Sequence, residues 1–212
     1  MAYDRQLICV LQHPSQQLFM ANLSGAYALQ EKAETQGLKS RVVTVVPGQV
    51  PTSRVTKQFA KLTNQSRLYI VGHGNQAADA INGLSPEQLA KLVVDSWGLT
   101  AVDKIVLIAC KLGGAPGNFA NSSFARSFHY HLAKDWLVYT RVAGYTNNVS
   151  VAAKNHLPFL KQVHNLNLTT GQKVFPKGGD TSKFSQPYLE QGSKVCWTWN
   201  LQKTQQLLVT EY

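Results

Sequence analysis

Cysteine 110 and histidine 73 are the residues of this chain best placed to do chemistry. "RLYIVGHG" (67–74) runs from an apolar stretch into His73, flanked by Gly72 and Gly74. "DKIVLIACKLGG" (103–114) ends its own apolar stretch at Cys110. A thiol with a pKa of about 8.5 is mostly protonated at neutral pH, and a nearby imidazole can take its proton and leave a nucleophilic thiolate. Gly74 permits a sharp turn and lets backbone N–H groups approach a substrate carbonyl, as an oxyanion hole requires. Singly, each residue is ordinary. A strand-end cysteine is usually a small buried hydrophobe, the role expected for Cys9 and Cys196. The pair, each at a strand end beside glycine, points to a Cys–His nucleophile.

The surrounding patterns supply the elements that must hold this pair. Strands are expected at 5–12, 40–46, 67–71, 105–110 and 136–145 from their apolar or β-branched runs. Helices are expected at 15–37, 52–65, 84–98 and 121–135. The third has a clear start, with Ser85 as cap, Pro86 in the first turn and Gln88 completing the box. Strands alternating with helices predict an α/β fold, a mainly parallel sheet between helices with a β-rich addition after residue 145. Ligands in such sheets bind beyond the carboxyl ends of the strands, where His73 and Cys110 both sit. They converge if their strands are neighbours.

Bulk composition narrows the function classes. The 212 residues are 44% hydrophobic and 15% charged, a globular balance. No apolar run approaches the roughly 20 residues of a membrane span, and the N-terminal run is too short for a signal peptide. Export would need a signal-free route or an upstream segment. The net charge of +10 predicts a polyanionic partner. Nucleic acid is not expected, because no recognised binding motif accompanies the charge. Three widely spaced cysteines form no disulfide framework and suit a reducing compartment. No metal site is expected: His129 and His131 are two apart on a helix, off the three-or-four spacing of helical ligands, and read as surface or packing residues.

Taken in order, these segments resemble the caspase-like superfamily of cysteine proteases. Within it they are most similar to the self-processing cysteine protease domain of large bacterial toxins, the repeats-in-toxin and clostridial glucosylating groups. "YDRQLICVLQ" resembles that family's opening strand, "RLYIVGHG" its histidine strand, "INGLSPEQLAKLV" its intervening helix and "DKIVLIACKL" its cysteine strand. "YTRVAG" and "SKVCWTWN" resemble a later strand and the final flap strand. The resemblance implies a caspase-like three-layer sandwich with a C-terminal β-flap. The single domain would comprise a core at 1–145, a flap at about 146–200 and a tail at 201–212. It implies Cys110 as nucleophile, His73 as its partner, cleavage after leucine, often within the parent chain, and allosteric activation by inositol hexakisphosphate. Arg67, Arg141 and Lys194 fall where the family carries basic residues, and Lys173, Lys177 and Lys183 lie in the flap region. The implied setting is a protein delivered from a bacterium and acting in a host cytosol.

The sequence departs from the family in places. Asn75 follows His-Gly where relatives often carry a basic residue, and "KLGGAPGNF" after the cysteine has its own form. No cargo precedes the first strand, which leaves an excised domain or a stand-alone effector as the two expectations. A non-catalytic module on the same fold, binding inositol phosphate or another polyanion, is the alternative function.

Overall fold

The computed structural model describes residues 3–75, 77–113, 123–145 and 194–209 in full, and the backbone alone of 148–154, 157–166, 173–174 and 210. Strands β1 (Arg5–Leu11), β2 (Lys39–Val45), β3 (Ser66–Val71), β4 (Lys104–Ile108) and β5 (Arg141–Tyr145) alternate with helices α1 (Gln16–Thr35), α2 (Ser53–Phe59), α3 (Pro86–Lys91) and α4 (Phe124–Trp136). Strands β6 (Asn148–Lys154), β7 (Leu157–Leu166) and β8 (Lys173–Val174) form a separate antiparallel sheet. Helix α1 packs against β6 and β7. Strands β9 (Lys194–Trp199) and β10 (Gln206–Thr210) return to the main sheet, whose order is β10-β9-β5-β4-β3-β1-β2. Strands β1 to β5 pair in parallel, and β9 and β10 add antiparallel at the β5 edge.

The near-continuous apolar strands follow from burial on both faces. Leu7, Cys9, Leu68, Ile70, Ile105, Leu107 and Val142 point to one side and pack with Phe59, Leu89, Trp97, Phe124 and Phe128. Ile8, Val10, Tyr69, Val71, Val106 and Ile108 point to the other and meet Ala26 and Leu29 of α1. Each fully buried Leu or Ile contributes roughly 1.5–3 kcal/mol. The result is the α/β sandwich expected from the sequence.

Three local differences have physical causes. The Ser85–Gln88 capping box forms, with Pro86 in the first turn, but α3 passes into a π-helical turn at Leu92–Ser96. That wider turn ends on Trp97, which is buried against Phe59 with ring centroids 5.3 Å apart. Residues 136–140, expected to open a strand, instead close α4. Leu137 adopts φ +57°, and the N–H groups of Leu137 and Val138 donate to the Ala133 and Leu132 carbonyls. Residues 206–210, expected within a tail, form β10, and β9, expected as the final flap strand, pairs inside the main sheet.

Candidate active site

Strands β3 and β4 are parallel neighbours in the register Val71↔Ile108, and the Gly72 N–H donates to the Ile108 carbonyl at 3.1 Å. Two residues further along, His73 and Cys110 stand level at the carboxyl edge of the sheet. The backbones touch there: a Cβ on Gly74 would overlap the carbonyl oxygen and amide nitrogen of Cys110. His73 is exposed and Cys110 half-buried. Cys9 and Cys196 are fully buried, and burial pushes the Cys9 thiol far up, so both are inert packing residues. Of the three thiols, only Cys110 reaches the surface.

The chain is shaped sharply around this edge. Lys111, directly after Cys110, takes φ +60°, a left-handed conformation that a non-glycine residue adopts only at a cost of about 1 kcal/mol. The turn is fastened to β5, because the Gly113 N–H donates to the Tyr145 carbonyl at 2.7 Å. On the β3 side, Asn82 holds the histidine. Its Oδ1 accepts from the His73 N–H at 2.6 Å, and its own N–H donates to the His73 carbonyl at 2.8 Å. Its Nδ2 donates to the Leu11 and Gln12 carbonyls at 3.2 and 3.0 Å, which ties the end of β1 into the same cluster.

That tie brings in a residue the sequence reading passed over. His13 lies just beyond β1 with its ring edge-on to His73, centroids 5.6 Å apart and planes at 75°. Its Nδ1 accepts the Ser15 N–H at 3.0 Å. Partial burial, and then the neighbouring His13, hold the His73 imidazole below the ordinary histidine range, which favours the neutral ring. A neutral imidazole is the form that can accept a thiol proton. Applying the strand-end rule to β1 as well as β3 and β4 would have found His13. Asn82 sits in an Asn-Gly pair, a turn signal whose side-chain partners come from the distant end of β1.

The basic candidates divide. Arg67 and Arg141 share one cross-strand row, Gln6–Arg67–Lys104–Arg141, at the amino ends of the strands. Arg67 lies between the Tyr3 and Tyr69 rings, 4.7 and 4.9 Å from their centroids, and donates to Gln6 Oε1 at 2.6 Å. Its Nε is buried with no hydrogen-bond partner among the described residues. Arg141 forms an ion pair with Asp103; burial opposes its charge, and the carboxylate restores it. Lys194 pairs with Tyr145 at the other end of β5, on the same sheet face but roughly 13 Å away. Lys104, buried between the two arginines, belongs to this row and was missed because it reads as a strand-opening lysine. Lys173 lies in β8, described by backbone alone, and Lys177 and Lys183 lie outside the described residues.

His129 and His131 take the packing roles expected of them. His129 is buried in α4 and His131 is bonded to Asp135 at 2.8 Å. Among the described residues, no group of three His, Cys, Asp or Glu side chains could hold a metal ion, and no helix is long and apolar enough to cross a membrane. The model of the Peptidase C80 family matches residues 1–158, a span that contains β1 to β5 and all three strand ends of the site. No curated protein matches the chain.

Proposed function

The chain belongs to the Peptidase C80 family, the cysteine protease domains of toxins, and on that premise we propose that Cys110 and His73 are its catalytic dyad. The observation that carries this reading is the β3–β4 register, with the Gly74 backbone packed on that of Cys110. In the proposed reaction His73 accepts the thiol proton as Cys110 Sγ attacks the scissile carbonyl carbon. Backbone N–H groups around Gly74 and Cys110 stabilise the resulting oxyanion. The C–N bond then breaks, His73 returns the proton to the leaving amine, and water hydrolyses the thioester with His73 again as base. Leucine before the scissile bond follows from the family resemblance, as does action in a host cytosol after delivery of the toxin.

Activation by inositol hexakisphosphate belongs to the same proposal. The net charge of +10 supports it, as does the row of Arg67, Lys104 and Arg141 on one sheet face, which Lys194 joins only at the far end of β5. So does the buried Arg67 Nε, which has no hydrogen-bond partner among the described residues. A phosphate-rich ligand offers such groups charge-assisted acceptors. The flap lysines Lys173, Lys177 and Lys183 would add to the cluster.

The decisive experiment compares Cys110→Ala, His73→Ala and Cys9→Ala on a leucine-containing peptide and on the protein's own chain, with and without inositol hexakisphosphate. Cys110→Ala should abolish cleavage and thiol alkylation at the site while circular dichroism stays native. His73→Ala should lose about 10²–10⁴ in rate at neutral pH, and Cys9→Ala should keep activity. Full activity in Cys110→Ala would overturn the dyad. Ligand binding without any cleavage by the wild type would favour the non-catalytic polyanion module.

A further inference from the structure

The end of β1 adds a third side chain to the edge that carries His73 and Cys110, and nothing in the dyad chemistry uses it. His13 meets the His73 ring edge-on at 5.6 Å and is held from behind by the Ser15 N–H. Asn82 fixes the distance between the two histidine segments. It bonds both backbone groups of His73 and both carbonyls, Leu11 and Gln12, that lead into His13. Asn82 itself takes φ +48°, so the chain accepts strain to make this four-bond clip.

We propose that His13, clipped to the His73 segment by Asn82, is a positioning residue of the site: it braces the His73 ring and, when protonated, opposes a second positive charge there. The inference rests on the reading of Cys110 and His73 as the peptidase dyad. Like charges on two rings this close repel, so positive charge on His13 disfavours a proton on His73. The lowering of His73 by His13, second to burial, agrees in sign. The other titratable groups on the elements around His73, among the described residues, are Cys110 and Lys111 at the end of β4 and Asp79 in the turn after Gly74. Asp79 is engaged by the Asn75 amide at 2.5 Å. His73 therefore keeps its proton-accepting form at mildly acidic pH, and the enzyme keeps working there.

The test follows the His73 ring by NMR titration in a Cys110→Ala background, which removes both self-cleavage and the thiol. Adding His13→Gln, which preserves an acceptor for Ser15, should move the His73 midpoint up, because it removes the neighbouring ring that holds it down. Asn82→Ala should move it in the same direction by releasing the brace. In the Cys110 enzyme, His13→Gln should shift the acidic limb of kcat/KM in the same direction, a loss of activity on that limb with little change at neutral pH. An unchanged or lowered His73 midpoint in a folded His13→Gln protein overturns the proposal. If the wild type cleaves nothing, the dyad reading fails, while the NMR titration still decides whether His13 controls His73.

Discussion

At Gly74 the absence of a side chain is what lets two strand ends meet. Any Cβ would occupy space held by the Cys110 carbonyl and amide, and both are backbone groups that cannot rotate away. Gly74→Ala must therefore push the histidine and cysteine segments apart. We expect peptidase activity to fall more than 10²-fold, since misplacing reacting groups by about 1 Å costs that much. Overpacking should cost only about 1–3 kcal/mol of stability in urea titration. A mutant with native activity would show that the two segments need not touch. Cys110 and His73 stood out as candidates in the sequence because two residue types of known reactivity ended two apolar runs. His13 could have been flagged by the same strand-end rule at β1, but its contact with His73 and the role of Asn82 could not, because they depend on the ends of β1 and β3 meeting in the sheet.

At the scale of elements, α4 and the β9–β10 hairpin are fastened by a buried histidine. His129 stacks on Trp199 with centroids 5.0 Å apart, and its Nδ1 lies 2.7 Å from Gln206 Nε2. Gln206 also donates to the Arg126 carbonyl and accepts from Arg126 Nε, so the first residue of β10 is bonded three times to the helix. Burial lowers the His129 pKa to about 4, with the Thr140 backbone pulling the other way. The unfolded chain takes this proton near pH 6.5 and the folded protein only near 4. The stabilisation is thus complete above pH 6.5 and is lost as pH falls through that window, by roughly 3 kcal/mol. Chemical denaturation between pH 7 and 4 should show that decline in the wild type and a flatter profile in His129→Phe. An equal decline in both would assign the acid sensitivity elsewhere. The alternation in "SKVCWTWN" announced β9, but "QLLVT" carries too short a pattern to distinguish a strand from a tail. The apolar run "WLVYT" imitated a strand because helix-capping bonds at Leu137 and Val138 leave no mark in hydrophobicity.

At the scale of the whole molecule, charge separates from chemistry. The Arg67–Lys104–Arg141 row lies at the amino ends of the parallel strands, and Cys110 and His73 lie at the carboxyl ends. A polyanion on that face must act through the sheet to reach the thiol. One connection runs from Lys194 through its cross-strand partner Tyr145 to Gly113, three residues from Cys110. Inositol hexakisphosphate at about 100 times its Kd should stabilise the fold by about 2.7 kcal/mol, a Tm rise of roughly 5–10 °C. The rise should shrink with added salt, because exposed charge pairing is screened. Arg67→Ala should reduce it. No Tm change at physiological ionic strength would remove the ligand from the account and leave the peptidase intact. The charge excess was plain in the composition, but its arrangement depended on a register that no local pattern encodes.

The chain leaves the main sheet at Tyr145 and re-enters at Lys194, and those two residues are cross-strand partners. Topologically, residues 146–193 are a cassette spliced into the loop of one β-hairpin. Such a splice adds little closure entropy, about 0.6 kcal/mol for each doubling of loop length. A sheet built this way can exchange its cassette without rewiring the strands that carry the thiol. The pairing of β3 with β4 that sets Cys110 beside His73 is thus independent, in strand order, of what lies between Tyr145 and Lys194.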